Sequence, residues 1–194
     1  MSKMLGTLAI TGDAAADRLL NTDPLALLIG MLLDQQVPME WAFRGPATLR
    51  DRLGHLDPTA IADADPEAFL KACNTKPAIH RFPKSMAGRI QSLCQHLLDH
   101  HEGDAAAVWT GATDGADLAL RLQALPGYGA EKTKIFIAIL AKRLEYRPEG
   151  WAAAAGPFAD NVPRSVADID GPEALVEVRA WKKAQKAAGK TKQQ

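Results

Sequence analysis

Helix-start signals recur along this chain and constrain its fold more than any other feature. Asp-Pro pairs stand at Asp23-Pro24, Asp57-Pro58 and Asp65-Pro66. An Asp side chain accepts hydrogen bonds from the free N–H groups of a helix's first turn, and a proline at the first helical position removes no donor that the helix needs. From Leu25 to Leu33, apolar side chains recur at helical spacing. The pattern predicts an all-α fold of eight to ten helices.

Apolar stripes and chain breakers place the other helices. A helix from Pro24 should end near Gln35, because the proline at position 38 disfavours helical geometry in the residue before it. The next helix should begin at Pro38 and carry Trp41 inward. Further helices are predicted over residues 83–101, 118–125, 131–144 and 172–181, and from about Asn161.

Three segments lack such stripes. Residues 104–116 are interpreted as a loop or one weak helix, and residues 145–158 as a long loop punctuated by proline and glycine. Residues 5–11, LGTLAIT, are the one stretch typical of a strand. A single strand cannot form a sheet, so these segments leave the all-α prediction unchanged.

Length and composition exclude several classes of protein. The chain has 194 residues, 47% apolar and 24% charged, which is typical of one globular domain or two small ones sharing a cleft. No apolar run approaches the roughly 18 residues of a membrane span, and the N-terminus lacks the apolar core of a signal peptide. We therefore expect a cytoplasmic protein without a membrane partner. Cys73 and Cys94 are too few for a disulfide framework and should be reduced and buried.

The charge is balanced overall but unevenly distributed. Residues 131–194 hold 12 of the 23 basic residues and 8 of the 23 acidic ones. A basic C-terminal third is compatible with one phosphate-facing side. Residues 182–194 contain no acidic residue and are interpreted as a solvated, flexible tail or as a contact to a polyanion.

The most specific local motif is LPGYG at residues 125–129, between two predicted helices. Gly127 and Gly129 permit positive φ angles and place no Cβ in front of the backbone amides around Tyr128. These amides would lie at the positive end of the helix that follows, close to Lys132 and Lys134. Such a turn can hold a phosphate without reading a base, although a tight helix–helix turn would use the same residues.

This motif and three other segments resemble the helix–hairpin–helix (HhH-GPD) DNA glycosylase superfamily, in the order that the family has them. LPGYGAEKTKIFIAILAKR resembles its hairpin, and PLALLIGMLLDQQVPMEWA its early helix with a glutamine-containing loop. HRFPKSMAGRIQSLCQHLL resembles its middle helix, and GPFADNVPRSVADI the loop that presents its aspartate. The resemblance covers roughly residues 20–170. It implies a two-lobed helical fold, with residues 23–144 as one lobe, residues 1–22 plus 145–181 as the other, and residues 182–194 as a tail.

The resemblance implies that Asp160 is the catalytic aspartate. A carboxylate near the sugar of a flipped-out nucleotide can stabilise the positive charge that develops as the base leaves, or can orient water. Asp160 could also simply cap a helix that starts at Asn161. It lies 31 residues after Gly129, farther than the usual spacing in the family, and the excess falls in residues 145–157.

One position in the family separates enzymes that also cut the strand from those that do not. The former carry a nucleophilic lysine two residues after the second hairpin glycine, where this chain has Glu131. We therefore expect a monofunctional glycosylase in which Lys132, one residue later, contacts phosphate. A shift of register at the hairpin would instead make Lys132 the nucleophile.

Other residues acquire roles by the same resemblance. Gln36, or its neighbour Gln35, would fill the gap that the flipped base leaves. Trp41, Trp151 and Phe158 are candidates for stacking on the extruded base, although such aromatic residues more often lie in a core. No cofactor is expected, because the cysteines that bind the iron–sulfur cluster in some members are absent. His96 and His100 could share a metal, but solvated histidines at a helix end are the preferred interpretation.

The resulting hypothesis is a monomeric enzyme that hydrolyses the N-glycosidic bond of a damaged, alkylated base in double-stranded DNA. The first alternative is a binding module that recognises damaged or distorted DNA on the same scaffold without cutting it. The second is a helical protein-interaction domain with an incidental PGYG turn. Steep loss of DNA affinity with salt would argue against the second alternative.

Overall fold

A computed structural model describes residues 6–194, and this part of the chain is helical throughout, as the sequence predicts. It contains eleven α-helices, one more than the upper limit of the prediction. The helices are α1 Ala14–Thr22, α2 Pro24–Leu33, α3 Met39–Leu53, α4 Pro58–Asp63, α5 Pro66–Asn74, α6 Pro83–His101, α7 Ala107–Thr110, α8 Gly115–Gln123, α9 Ala130–Arg143, α10 Trp151–Ala155 and α11 Pro172–Ala187.

The Asp-Pro signals start helices as predicted. The side chains of Asp23 and Asp57 each accept hydrogen bonds from two N–H groups in the first turn of α2 and α4, and Asp65 accepts one in α5. In all three helices the proline occupies the beginning of the first turn. These starts are therefore encoded locally, by two adjacent residues.

Two helices lie at the centre of the molecule. In α2 every residue from Leu25 to Leu33 is buried, and in α9 burial is continuous from Ile135 to Ala141. α2 packs mainly against α3, whereas α9 packs against α8 and α10. One continuous apolar core joins both helices and extends from Leu8 to Val178.

Two very short helices raise the number of helices above the predicted eight to ten. α7 and α10 are four and five residues long, and they lie in segments that were predicted as loops or as one weak helix. Glycine flanks both, since Gly111 follows α7 and Gly150 precedes α10 in the left-handed conformation. A helix of one turn carries too short an apolar stripe for periodicity to detect.

The prediction of a helix from Asn161 is wrong. A 3-10 turn at Gly156–Ala159 precedes this residue, and the next helical element is a second 3-10 turn at Val166–Asp168. The Asp168 carboxylate accepts hydrogen bonds from the N–H groups of Arg164 and Ser165. These two N–H groups are therefore bonded to a side chain and not to the carbonyl oxygens of a helix.

Three further expectations need correction. Trp41 lies off the buried face of α3, is 37% exposed, and donates from Nε1 to the Ala78 carbonyl oxygen at 2.7 Å.

Helix α11 runs six residues past Trp181, so the first part of the expected tail is helical. Residues 6–11 form no strand and instead extend along the end of α9, where the Thr7 N–H group bonds the Arg143 carbonyl oxygen at 2.9 Å. Leu5 lies outside the described residues.

Within the described range, no helix combines the length and the apolar content that a membrane crossing needs.

Candidate functional site

The hairpin between α8 and α9 has one glycine in the left-handed conformation. Gly127 has φ +84°, whereas Gly129 has φ −85° and extended backbone, so only one of the two predicted positive φ angles is used. A Cβ on Gly129 would meet nothing within 4 Å, which means that the space in front of this turn is open. Among the described residues no side chain caps the start of α9, so its first-turn N–H groups have no side-chain acceptor there and can bind an anion.

Tyr128 anchors the hairpin and does not face solvent. It is 5% exposed, its hydroxyl donates to the Leu28 carbonyl oxygen at 2.7 Å, and its ring packs edge-on against Phe136. The side chain therefore fixes the turn against α2. A role of Tyr128 in DNA binding is limited to its backbone.

The two hairpin lysines point in different directions. Lys132 turns inward, and its Nζ donates to the Leu32 carbonyl oxygen, at the C-terminal end of α2, at 2.7 Å. Burial lowers the pKa of Lys132 to about 8, although the nearby Asp34 raises it. Lys134 stays near the surface, where its Nζ donates to the Gln193 side chain at 3.1 Å. The direction of Lys132 does not favour the predicted phosphate contact, whereas Lys134 is placed for one.

Asp34, which the sequence interpretation did not select, is a charged residue next to the pocket loop. It is the C-terminal cap of α2, directly precedes Gln35 and is partly buried. Burial raises the pKa of Asp34, while Lys182, Lys192 and Lys132 lower it to a smaller extent. The signal in the sequence is an acidic residue directly after an apolar helix, at the end where the helix dipole disfavours negative charge.

Gln35 and Gln36 line an open pocket of about 280 Å³ with the segment that starts α6. Gln36 is exposed at the tip of its loop with φ +57°, a conformation that non-glycine residues rarely adopt. His80 is fully buried and donates from Nε2 to the Gln35 carbonyl oxygen at 2.8 Å. The other lining residues are Phe82, Ser85, Met86 and Arg89.

Phe82 is the aromatic residue of this pocket, and the sequence analysis did not select it. It is 44% exposed, and the Arg81 guanidinium lies 4.9 Å from its ring centroid. The predicted stacking residues lie elsewhere: Phe158 is fully buried in the core, and Trp151 packs partly buried against that core. Neither they nor Trp41 lines the pocket that Gln36 borders. A single exposed aromatic residue carries no periodic signal, which is why sequence alone missed Phe82.

Asp160 lies at the other end of α9. Its carboxylate pairs with Arg164, with 2.5 Å between Oδ2 and the nearer guanidinium nitrogen, and also accepts the Val162 N–H group at 3.0 Å. Its backbone oxygen accepts from Lys142. Ten residues separate Lys132 from Lys142, about 15 Å along the helix. The structure therefore does not bring Asp160 into direct contact with the hairpin.

The last residues of the chain connect these two regions. The Lys192 carbonyl oxygen accepts from Arg164 at 3.0 Å, and Lys192 Nζ lies 3.1 Å from the Glu131 carboxylate. Gln193 reaches both Glu131 and Lys134. The end of the expected tail thus packs on the first turn of α9.

The two cysteines and the histidines at the end of α6 do not line this pocket. Cys73 and Cys94 are buried free thiols, as predicted, and burial raises the pKa of each to about 12. Within residues 6–194, no group of three or more His, Cys, Asp or Glu side chains is arranged to hold a metal ion.

The sequence is similar to a known family over most of its length. The sequence model of the family described as "HhH-GPD superfamily base excision DNA repair protein" matches residues 29–192. This range includes the second half of α2, the hairpin, the Asp160 loop and most of the C-terminal segment. No curated protein and no solved structure matches the chain.

Proposed function

Since the chain belongs to the HhH-GPD superfamily of base excision DNA repair proteins, whose members are DNA glycosylases, we propose that it removes a damaged base from double-stranded DNA. The reaction is hydrolysis of the N-glycosidic bond. In this proposal the protein acts as a monomer and leaves the DNA strand intact.

One observation carries the proposal. The hairpin is bonded to the end of α2 that leads into the pocket loop: Tyr128 donates to the Leu28 carbonyl oxygen, and Lys132 donates to the Leu32 carbonyl oxygen, three residues before Gln35. Gln35 and Gln36 line the open pocket. The proposed backbone-binding turn and the pocket therefore adjoin the same segment of the chain, which supports base extrusion.

The DNA backbone would lie across the hairpin. The free N–H groups at the start of α9 and the ammonium group of Lys134 would contact phosphate without reading sequence. Affinity should then fall steeply as salt concentration rises, because each phosphate contact releases counterions.

Gln36 would enter the duplex at the site of the extruded base. Its side chain is exposed at the tip of a loop, and an amide can donate to and accept from an orphaned partner base. Phe82, which lines the same pocket and is exposed, could wedge against the neighbouring base step. The sequence predicted Gln36 for this role, whereas Phe82 is proposed from its position in the pocket.

Asp160 is the proposed catalytic carboxylate, on the strength of the family pattern. Arg164 holds its orientation through two nitrogen atoms, at 2.5 and 3.3 Å. The carboxylate keeps 41% of its surface accessible, so a substrate can reach it. It would stabilise the positive charge that develops at the sugar as the base departs. The absence of cluster cysteines and the presence of Glu131 at the lysine position favour an alkylated base as substrate.

Lys132 supports a second candidate function, a glycosylase that also cuts the strand. With a pKa of about 8, a substantial fraction of its side chain is free amine near neutral pH, as a nucleophile must be. Its ammonium group is directed at α2 in the structure, so it would have to turn toward the pocket. The monofunctional proposal therefore remains the first choice.

The decisive experiment measures base release from duplexes that each carry one lesion: a methylated purine, ethenoadenine, hypoxanthine, uracil or 8-oxoguanine. Wild type, Asp160→Asn and the control Asp170→Asn are compared with and without alkali. Asp170 is a suitable control because it is exposed and pairs with Arg143 in the same region at 3.1 Å. We expect breaks only after alkali, lost by at least about 100-fold in Asp160→Asn and retained in the control.

The other outcomes are equally informative. Breaks without alkali that disappear in Lys132→Met would select the strand-cutting candidate. Salt-sensitive DNA binding without release of any base would select the non-catalytic binding module. Absence of both release and binding would reject a role on DNA.

A further inference from the structure

His80 is a fully buried imidazole in the wall of the Gln36 pocket, and both of its ring nitrogens are bonded to the backbone. Nε2 lies 2.8 Å from the Gln35 carbonyl oxygen, and Nδ1 lies 3.0 Å from the backbone nitrogen of Phe82. A carbonyl oxygen can only accept and an N–H group can only donate, so Nε2 carries the proton and Nδ1 carries none. The two bonds therefore define one tautomer of a neutral ring.

The surroundings of the ring keep it neutral. Burial lowers the pKa of His80, while bonds to the carbonyl oxygens of Gln35 and Leu33 oppose this shift. The positive charges of Lys132 and Arg81 lower the pKa further. A protonated ring would also turn a second N–H group toward the N–H group that Nδ1 accepts. Protonation would therefore lose one hydrogen bond and leave a charge without solvent.

The segment that carries His80 is attached to α3 independently of this ring. Trp41 donates to the Ala78 carbonyl oxygen, and Arg52 donates to the Pro77 carbonyl oxygen, both at 2.7 Å. These bonds hold the two residues before the buried turn of the chain. The imidazole is the group that reaches from this anchored segment to the neighbouring loop.

The loop between α2 and α3 has few other attachments. Among residues 6–194, two hydrogen bonds reach residues 34–37 from outside the loop and α2: the His80 bond, and a contact of 3.4 Å from the Gln35 amide to the Met86 sulfur. A thioether sulfur is a weak acceptor. Gln36 has φ +57°, a conformation that a non-glycine residue keeps only where its neighbours enforce it. The His80 bond is the stronger of the two and lies one residue from this strained position.

We propose that His80 is a positioning residue, whose Nε2–H group holds the Gln35 carbonyl oxygen and thereby presents Gln36 at the tip of its loop. The bond from the Phe82 N–H group to Nδ1 sets the tautomer and orients the ring. The inference rests on the proposed function, in which Gln36 fills the gap that the extruded base leaves. A loop that is already held loses little conformational freedom when DNA binds, so His80 contributes to recognition without touching DNA.

Two substitutions separate the two bonds of the ring. A glutamine amide nitrogen can replace Nε2, so His80→Gln keeps a donor for the Gln35 carbonyl oxygen and gives up the acceptor for the Phe82 N–H group. An asparagine Oδ1 can replace Nδ1, so His80→Asn keeps the acceptor and gives up the donor to the loop. His96→Asn is the matched control, because His96 contacts His100 on α6 and does not line the pocket.

The first readout is a duplex in which 2-aminopurine stands opposite a tetrahydrofuran abasic site. Its fluorescence reports entry of a side chain into the gap, whichever lesion the protein processes. Wild type should change the fluorescence, and Gln36→Ala should abolish the change. His80→Asn should lose most of the change, together with about fivefold of the preference for abasic over undamaged duplex. His80→Gln and His96→Asn should keep that preference within about twofold.

A merely structural role predicts a different pattern. Equal losses in His80→Asn and His80→Gln, or no loss in His80→Asn, would overturn the proposal. Failure of His80→Asn to fold would also overturn it, because α3 anchors the segment without this ring and a positioning residue is not required for folding.

The second readout needs no DNA. Imidazole ¹⁵N chemical shifts of the wild type should show His80 as the Nε2–H tautomer at pH 7, and any other state would overturn the proposal. Backbone ¹⁵N relaxation should show the Gln36 N–H group more mobile in His80→Asn than in wild type or His80→Gln, and unchanged mobility would contradict the positioning role. If the wild type binds no DNA, the proposed function fails, while these NMR measurements still decide whether His80 holds the loop.

Discussion

The two ends of helix α9 hold charge in opposite ways. At the C-terminal end the charged groups are paired and mostly buried: Lys142 lies 2.6 Å from Asp168, and Arg164 lies 2.5 Å from Asp160. At the N-terminal end, Lys132 donates to the Leu32 carbonyl oxygen and forms no ion pair within the described part of the chain, while Glu131 and Lys192 form a pair near the surface. The C-terminal end thus holds its ions in close, mostly buried pairs, whereas the N-terminal end holds a partly buried ammonium group that has no carboxylate partner among the described residues.

This difference separates structural from reactive groups. A satisfied buried ion pair is costly to break and chemically inert, whereas a poorly satisfied one has a perturbed pKa and is available for a ligand. The N-terminal end adjoins the hairpin, and Lys132 bonds the end of α2 that leads into the Gln36 pocket. Asp160 belongs to the satisfied end, and its proposed catalytic role requires that Arg164 orient the carboxylate without blocking it.

The largest effect on stability should come from removing an ion pair at the C-terminal end of α9. Lys142→Met removes the ammonium group that pairs with the Asp168 carboxylate, which is about 10% exposed. This change should lower the free energy of unfolding by about 3 kcal/mol. Lys132→Met, the same substitution at the other end, should leave stability unchanged or raised at pH 7, because it removes a poorly satisfied buried cation. Urea unfolding of the two variants measures both values. Equal losses would contradict the contrast between the two ends.

The pH dependence of Lys132→Met sharpens the same contrast. Lys132 has a pKa of about 8 in the folded protein and an ordinary value of 10.5 when unfolded. Between these values the unfolded chain binds more protons, so the contribution of Lys132 to stability rises with pH. The free energy of unfolding of Lys132→Met relative to that of wild type should therefore be highest below pH 8 and should fall by up to about 3 kcal/mol toward pH 10.5. Unfolding at pH 7, 8.5 and 10 tests the sign, and an advantage that grows with pH would refute it.

The smallest effect concerns the ion pair between Lys192 and Glu131. Both side chains are about 40% exposed, so Lys192→Ala should change the free energy of unfolding by less than about 1 kcal/mol. That change should vanish in high salt, in contrast to the effect of Lys142→Met. Unfolding at low and high ionic strength makes the comparison, and a large salt-independent loss would place Lys192 with the structural pairs.

Local chemistry made much of the fold predictable from the sequence. Asp-Pro pairs start α2, α4 and α5, and the long apolar stripe of α6 ends two residues before Gly103, because each signal acts within one or two turns of its own helix. The helix predicted from Asn161 does not form, because the Asp168 carboxylate accepts from the N–H groups of Arg164 and Ser165. Ser165 and Asp168 form a capping box that starts a 3-10 turn at Val166 instead.

The residues of the candidate site also fall into those that a local motif predicted and those that it did not. The hairpin and the exposed Gln36 were located by motif, and Gly127 has the backbone angle that its turn needs. Phe158, Trp41 and Trp151 were selected as aromatic candidates, yet the pocket uses Phe82. Aromatic residues bury or expose themselves according to the packing of several helices, which residue type does not specify.

By itself, the sequence determined the helical class, most helix boundaries, the hairpin and the family. Tertiary structure alone decided that Lys132 turns inward to a carbonyl 100 residues away and that burial raises the pKa of Asp34 while lysines from distant segments lower it. The physical reason is that helix starts depend on adjacent residues, whereas the pKa of a side chain depends on burial and on charges brought together from distant segments.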